Sequence, residues 1–263
     1  MDNEALALAM VRLAAWMDTR CRPSAITQHR FDGPPFGTAY VCISPSEESP
    51  FASANHNRMH LCGAAKGLTA EGVAGLTRLF TEAGVSRFFA WLSPGSDQAA
   101  ARDWLESAGL SRISYIQYLT LARDPDEVPA AATSLEVREL APGEVASLAG
   151  HTAEVAWPEY LNSAGTPGFF HFMAFDHNEP VASAALCTFE AIGYLCMALT
   201  AEHARGRGAQ QALISRRIEK ARALGCRVLV SETLSITPIS LSNLQKAGFR
   251  PAYEKEVYSG QAS

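Results

Sequence analysis

Apolar residues fall into two rhythms along the chain, and these place its elements. Leu6, Met10, Leu13 and Met17 recur at helical spacing around Arg12, which predicts an amphipathic helix over Ala5–Ala15. Thr69–Ala83 reads as a helix stopped by Gly84, with a strand after it at Arg87–Leu92. A helix at Gln98–Ala108, stopped by Gly109, and a strand at Ser114–Leu121 follow. Residues 124–133 mix proline, acid and small side chains without a period and read as a linker. Beyond it, Leu135–Leu140 alternates as a strand and Pro142–Trp157 is helical up to Pro158. Strands at His171–Asp176 and Val181–Glu190 flank the turn-rich His177-Asn-Glu-Pro180, a hairpin pattern. Then come a strand at Tyr194–Ala201, a helix at Gly208–Leu224 closed by Gly225, and a strand at Arg227–Glu232. A short helix, Ile239–Ala247, stopped by Gly248, and a strand at Tyr253–Tyr258 end the series.

The second half repeats the first. Gly225 follows Gly84 by 141 residues and Gly248 follows Gly109 by 139, and Leu105-Glu-Ser-Ala-Gly-Leu110 matches Leu244-Gln-Lys-Ala-Gly-Phe249. Helix–strand–helix–strand at a nearly constant offset predicts two copies of one α/β fold. The expected division is a first domain over 1–123, the linker 124–133 and a second domain over 134–263.

Composition adds little but excludes much. Hydrophobic content of 48% with 19% charged residues fits a globular protein with a full core. A net charge of −5 argues against general nucleic-acid binding. Six scattered cysteines (Cys21, Cys42, Cys62, Cys187, Cys196 and Cys226) form no C-x-x-C pair and sit mostly in apolar runs. That is the usage of reduced core cysteines, and no metal-ligand spacing is present. Asp2 and Glu4 stand where a signal peptide carries basic residues, and no segment approaches the roughly 20 apolar residues of a membrane span. The expectation is a cytoplasmic protein that binds neither membrane nor metal.

The chemistry is concentrated after the strand at Tyr194–Ala201. Between Arg205 and Arg227 lie six arginines and one lysine against a single acid, Glu219. A solvated basic face accounts for Arg216, Arg217 and Arg222, but not for Arg205-Gly-Arg-Gly208. Glycines at the mouth of a helix let the backbone approach a ligand closely. The first-turn N–H groups then face it with the favourable end of the helix dipole. Such a turn suits phosphate oxygens. No G-x-x-x-x-G-K-[ST] occurs, which excludes a P-loop. A dinucleotide loop would need a third glycine where Gln211 stands, although Glu232 lies about where a ribose-binding acid would fall.

Residues 134–258 resemble the GNAT superfamily of N-acetyltransferases. Its signature, Q/R-x-x-G-x-G/A at a strand–helix junction, is matched by Arg205-Gly-Arg-Gly208-Ala-Gln210, with Gln210 in the final place. The element order agrees through Gly248-Phe249 and the last strand. The whole chain is thus similar to a tandem GNAT protein, two copies of the acyl-CoA N-acyltransferase fold with a mixed sheet. Its first copy is degenerate, reading Cys62-Gly-Ala-Ala-Lys-Gly67 where the loop would be. The resemblance implies acetyl-CoA or another acyl-CoA as co-substrate. Pantetheine would pair with the backbone of Ala198, Leu199 and Thr200, and the pyrophosphate would lie on the amides of Gly206, Arg207, Gly208, Ala209, Gln210 and Gln211 beside Arg205. Asn243 is a further contact to the cofactor. Glu232 falls where the family often has a general base for the substrate ammonium, a role an amine nucleophile requires. Glu190 is the alternative.

Two family positions differ. The tyrosine that protonates the departing thiolate falls at Leu244, and the asparagine opening that helix falls at Thr237. Tyr253, Ser240 or a water would then give the proton, or CoA would leave as thiolate. Catalysis lost altogether is the third possibility, and it makes a non-catalytic acyl-CoA sensor the rival to an N-acetyltransferase. An aminoacyl-transferring protein using charged tRNA is disfavoured by the acidic total and by the lack of a basic, aromatic-rich stripe in the first half. The expected partner is an amine of a small molecule or peptide, in a monomer or homodimer. Trp157-Pro-Glu-Tyr160 and Phe169-Phe-His-Phe172 either wall an acceptor pocket or pack a core. His151, His171, His177 and His203 read as surface or satisfied histidines.

Overall fold

Every glycine stop seen in the sequence ends a helix in the structure, a computed structural model that describes residues 1–21, 27–44, 57–63, 66–115, 118–148 and 154–261. Two compact units form: residues 1–119 with 253–263, and residues 120–252.

The first unit opens with α1 (Asn3–Cys21), then strands β1 (Thr27–Phe31), β2 (Ala39–Ile43) and β3 (Arg58–Cys62). Helix α2 (Ala70–Glu82), β4 (Arg87–Ser93), α3 (Gln98–Ser107) and the short β5 (Ser111–Arg112) follow. Thr69 caps α2 by accepting the Gly72 N–H at 3.1 Å, and the amphipathic helix buries Val73, Leu76 and Phe80. β1, β2 and β3 pair antiparallel, whereas β3 and β4 run parallel across α2. The strand on the other side of β4 comes from the chain terminus, β12 (Arg250–Gln261), with Glu256–Gln261 antiparallel to Arg87–Leu92. Tyr258 of β12 joins Leu76, Phe80, Phe88 and Leu105 in the core, where Phe80 and Phe88 stack at 4.3 Å.

The second unit contains β6 from Thr120 onward (Tyr118–Arg123), β7 (Glu136–Leu140), α4 (Pro142–Ser147), α5 (Pro158–Asn162), β8 (Phe169–Asp176), β9 (Glu179–Phe189) and β10 (Ile192–Thr200). Helix α6 (Ala209–Ala223), β11 (Val228–Leu234) and α7 (Pro238–Lys246) complete it. Its strand order is β7-β8-β9-β10-β11 with β6 beside β11. β10 and β11 are joined by a helix and parallel, whereas β7, β8, β9 and β10 pair antiparallel, so this sheet too is mixed. The β8–β9 hairpin turns on His177 and Asn178, both at positive φ (47° and 72°), as a two-residue loop requires.

The structure departs from the sequence reading at the first helix of the second half. Pro158 does not end a long helix but opens α5, where its missing N–H costs nothing, while α4 stops at Ser147. His151 and the rest of 149–153 lie outside the described residues. The compact units divide at 119/120 and 252/253. A strand's hydrophobic pattern fixes which face it buries, not which strand it pairs with. Of the six cysteines, none in a disulfide, five are buried and Cys196 is half-buried. Among the described residues no helix is long and apolar enough to cross a membrane.

Glycine inside a helix ordinarily costs about 0.5–1 kcal/mol relative to alanine. Gly72 in α2 reverses that rule, since a Cβ there would overlap the Pro35 carbonyl oxygen, which already accepts the Thr69 N–H at 2.9 Å. Gly72→Ala is expected to destabilise the protein by about 1–3 kcal/mol, as overpacking does. Urea denaturation measures it, and an alanine variant as stable as the parent would refute the contact.

Candidate functional site

Strands β10 and β11 pair from Ile192↔Val228 to Leu195↔Ser231 and then stop, although β10 continues to Thr200 and β11 to Leu234. On its other side β10 changes register against β9 between Cys196 and Leu199. Met197 sits in this bulge at φ 53°, a conformation costly for a side chain of its size. The two parallel strands therefore fork. At the fork the Ser231 hydroxyl donates to the Leu195 carbonyl at 2.9 Å, supplying a partner where the ladder ends.

The first copy provides the contrast. Its parallel pair, β3 and β4, stays in register from Arg58↔Phe89 to Cys62↔Ser93, and the Gly63 N–H still reaches Ser93 O at 3.0 Å. No fork opens there.

From the open end of β10 the chain makes a 3-10 turn, Glu202–Ala204, and enters the loop. Gly206 and Gly208 take φ of 80° and 81°, values that Arg205 and Arg207 do not need and that side chains resist. A Cβ on Gly208 would also overlap the Ala132 carbonyl oxygen. Gly208 is the N-cap of α6 without a side-chain cap, and the first intrahelical bond runs from Ala212 N to Gly208 O. The N–H groups of Ala209, Gln210 and Gln211 precede that bond and are left to the loop.

The loop is held from several sides. Arg207 pairs with Asp176 at the end of β8, at 2.5 Å, and its carbonyl accepts the Thr133 hydroxyl at 2.8 Å. The Arg207 hydrogen bond keeps the Asp176 carboxyl below the usual carboxylate range. Gln210, in the place of a third glycine or alanine, folds back to donate to Leu199 O at 3.2 Å and Thr200 Oγ1 at 2.7 Å. Gln211 donates to the backbone and side-chain oxygens of Asn243 at 2.9 and 3.1 Å, fastening α7 beside the loop. Arg205 is exposed, with no ion-pair partner among the described residues.

Glu232 is the first residue of β11 past the last β10–β11 pair. It is half-buried, and its two oxygens accept from Thr120 Oγ1 at 3.0 Å and Tyr194 OH at 3.2 Å. Those donors fix the carboxylate at the fork. Glu190 occupies the turn before β10, at the far end of that strand from the bulge, on the order of 20 Å away at strand rise. It is therefore not brought to the same place. Tyr253 is buried and is counted with the first unit. Leu244 is buried, and Thr237 exchanges a hydroxyl hydrogen bond with Thr233 at 2.8 Å. Ala198 is exposed at the open edge of β10, where its carbonyl accepts from Trp157 Nε1 at 3.3 Å. Trp157 is 49% exposed, so it flanks the edge rather than packing a core.

Three contributors were not singled out in the sequence. Asp176 and Ser231 reach the loop and fork from distant strands, and no local signal marks them. Arg217 had one. It lies on the stripe of Leu213, Ile214, Ile218 and Ala221 and is buried with them, not on the basic face. Among the described residues no group of three His, Cys, Asp or Glu side chains is arranged to hold a metal ion.

Beneath the bulge, His171 is buried with Nε2 at 2.8 Å from Ser163 Oγ and 3.0 Å from Tyr160 O, and Ser163 Oγ also lies 3.9 Å from Met197 Sδ. Burial pushes the imidazole pKa down. As pH falls the unfolded chain takes up this proton first, so stability is complete above about pH 6.5 and declines below it. His171→Asn is expected to flatten that decline in urea midpoints taken from pH 8 to pH 5. An unchanged slope would assign the proton uptake to another group.

Residues 137–249 match the family model described as the acetyltransferase (GNAT) family. A GCN5-related N-acetyltransferase from Kribbella flavida superposes with a TM-score of 0.66 at 14% identity, covering 100% of this chain and 97% of its own. A tandem GNAT protein of the clavulanic acid biosynthesis pathway gives 0.64 at 14% identity, covering 99% and 94%. A GCN5-related N-acetyltransferase from Sphaerobacter thermophilus gives 0.57 at 14%, covering 98% and 93%. At these identities the likeness is one of fold. No curated protein matches the sequence significantly.

Proposed function

We propose that this chain, whose residues 137–249 match the acetyltransferase (GNAT) family, moves an acyl group from acyl-CoA directly to an amine of a small molecule or peptide. The observation that carries the reading is the fork of β10 and β11 beside the open N-terminus of α6. Pantetheine would run along Ala198, Leu199 and Thr200, and the pyrophosphate would lie on the N–H groups from Gly206 to Gln211 with Arg205 beside it. Gln210 leaves its backbone N–H available because its side chain turns away to β10. Asn243, tied to Gln211, would border the cofactor. The acyl group is most simply acetyl. Residues 1–123 would be the degenerate copy and 134–263 the acyl-CoA-binding one, the protein working in the cytoplasm as monomer or homodimer.

Glu232 would take a proton from the substrate ammonium. The freed lone pair attacks the thioester carbon, the C–N bond forms, the C–S bond breaks, and CoA departs as thiolate or takes a proton from Tyr253. Holding the two reactants in line supplies much of the acceleration. Leu244, buried and without a proton to give, favours a second reading, an acyl-CoA sensor that does not turn over. Release of CoA thiol over a panel of amines separates the two, since binding with no release for any amine supports the sensor.

Arg205→Glu combined with Gly206→Asp, where a Cβ meets nothing within 4 Å, is expected to abolish acetyl-CoA binding by calorimetry while leaving the circular dichroism spectrum intact. Unchanged affinity would sink the acyl-CoA reading. Glu232→Gln is expected to lower the rate about 10²–10⁴-fold at neutral pH, with partial recovery at high pH where amines lose the proton unaided. An unaltered pH–rate profile would remove Glu232 from the reaction.

A further inference from the structure

Two energetic costs meet at one peptide bond of the second unit. The first is Met197, held at φ 53° in the β10 bulge. Positive φ at a residue of this kind is strained and persists only where the surroundings enforce it. The second is Arg217 of α6, only 2% exposed and with no carboxylate partner among the described residues. Burying a cation without an acid is expensive, and a neutral side chain of similar volume would ordinarily serve a core stripe better. Burial lowers the Arg217 pKa to about 10, which still leaves it charged at neutral pH.

The guanidinium is spent on three carbonyls. Nε donates to Leu213 O one turn back at 3.0 Å, and Nη1 lies 3.3 Å from Ala185 O and 3.4 Å from Cys196 O. Ala185 and Cys196 face each other across β9 and β10 as the last pair before the bulge shifts the register. Nη1 thus rests on both carbonyls of the pair from which the bulge departs. The last two distances are long for hydrogen bonds, so the group acts there as a charge as much as a donor.

Cys196 O belongs to the same peptide unit as the Met197 N–H. In a planar trans peptide the two point in opposite directions. A cation at the oxygen therefore orients the N–H away from α6 and draws electron density from it, which strengthens it as a hydrogen-bond donor. We propose that Arg217 is a positioning residue for acyl transfer: through the Cys196–Met197 peptide it aims and polarises the Met197 N–H that stabilises the developing oxyanion of the thioester. This rests on the acyl-CoA reading above: with pantetheine along Ala198, Leu199 and Thr200, the thioester at its end would fall at the bulge that precedes them. It also answers the leucine at 244. Strengthening the oxyanion donor eases attack on the carbonyl without any proton donor near the sulfur.

The test needs no acceptor. Acetyl-CoA carrying ¹³C at the acetyl carbonyl is bound to the full-length protein, and the carbonyl band is read by difference infrared spectroscopy. In the parent protein the band is expected to move to lower frequency than in free acetyl-CoA. In Arg217→Met most of that shift should be lost, while the Kd for CoA itself, which has no acyl carbonyl, stays the same. Purely structural damage would move both readouts. A full shift in the folded methionine variant overturns the proposal. So does a full shift in Arg217→Gln, which keeps a donor but no charge and serves if the methionine variant does not fold. A parent protein that binds acetyl-CoA without any shift overturns it as well, leaving the acyl-CoA reading in place. Failure of the parent protein to bind acetyl-CoA overturns both.

Discussion

A sheet cannot open between two neighbouring strands unless every backbone group it releases finds another partner. That constraint organises the second unit. Where β10 and β11 part after Leu195↔Ser231, carbonyls of β10 are met one at a time by side chains. Ser231 supplies a hydroxyl to Leu195 O, and Arg217 covers Cys196 O. Trp157 and Gln210 reach Ala198 O and Leu199 O. None of these side chains is needed in the first unit, where β3 and β4 remain paired to the end of both strands and Gly63 extends the pairing. The same helix-linked parallel pair is thus closed in one copy and open in the other, and the difference lies in side chains that stand in for a lost ladder.

The fork also explains the loop that follows it. A strand leaving its neighbour must be turned into α6 within a few residues, and the turn is made at Gly206 and Gly208 because both need positive φ. The loop would swing freely if only the glycines shaped it. Arg207 prevents that by reaching Asp176 on β8, and Thr133 holds its carbonyl from the other side. The 124–133 segment, irregular in sequence, therefore helps to support the loop: Gly208 fits against Ala132, and Ser215 donates to Pro129 O at 2.7 Å.

What the sequence disclosed follows from how local each feature is. The Arg205–Gly208 turn was legible because positive φ is a property of one residue and its neighbours, and the helix stops at Gly84, Gly109, Gly225 and Gly248 for the same reason. Element positions followed from periodicity within each segment. Strand partners did not, since Tyr253–Tyr258 carries no mark saying it will pair with β4. Arg217 was hidden by its company. Set among Arg216, Lys220 and Arg222 it resembled one more solvated cation, although its spacing from Leu213, Ile214 and Ala221 puts it on the apolar stripe. Pro158 was ambiguous in principle, because proline both ends one helix and begins another.

The local excess of positive charge after Arg205 has a different meaning in three dimensions. Asp176 takes Arg207, Glu139 takes Lys220 at 3.0 Å, and Glu219 takes Arg216 at 2.9 Å. Arg217 is turned inward to carbonyl oxygens. Acids brought from β7 and β8 thus neutralise much of what the sequence displays as a basic run, and Arg205 is the side chain left facing outward at the loop. An anion bound here would meet one guanidinium and a row of backbone N–H groups at the positive end of a helix dipole. Such a site recognises phosphate oxygens through fixed, directional donors rather than diffuse charge. An acidic chain could carry one for that reason, and the glycines that let the N–H groups approach would matter more to it than the arginine count.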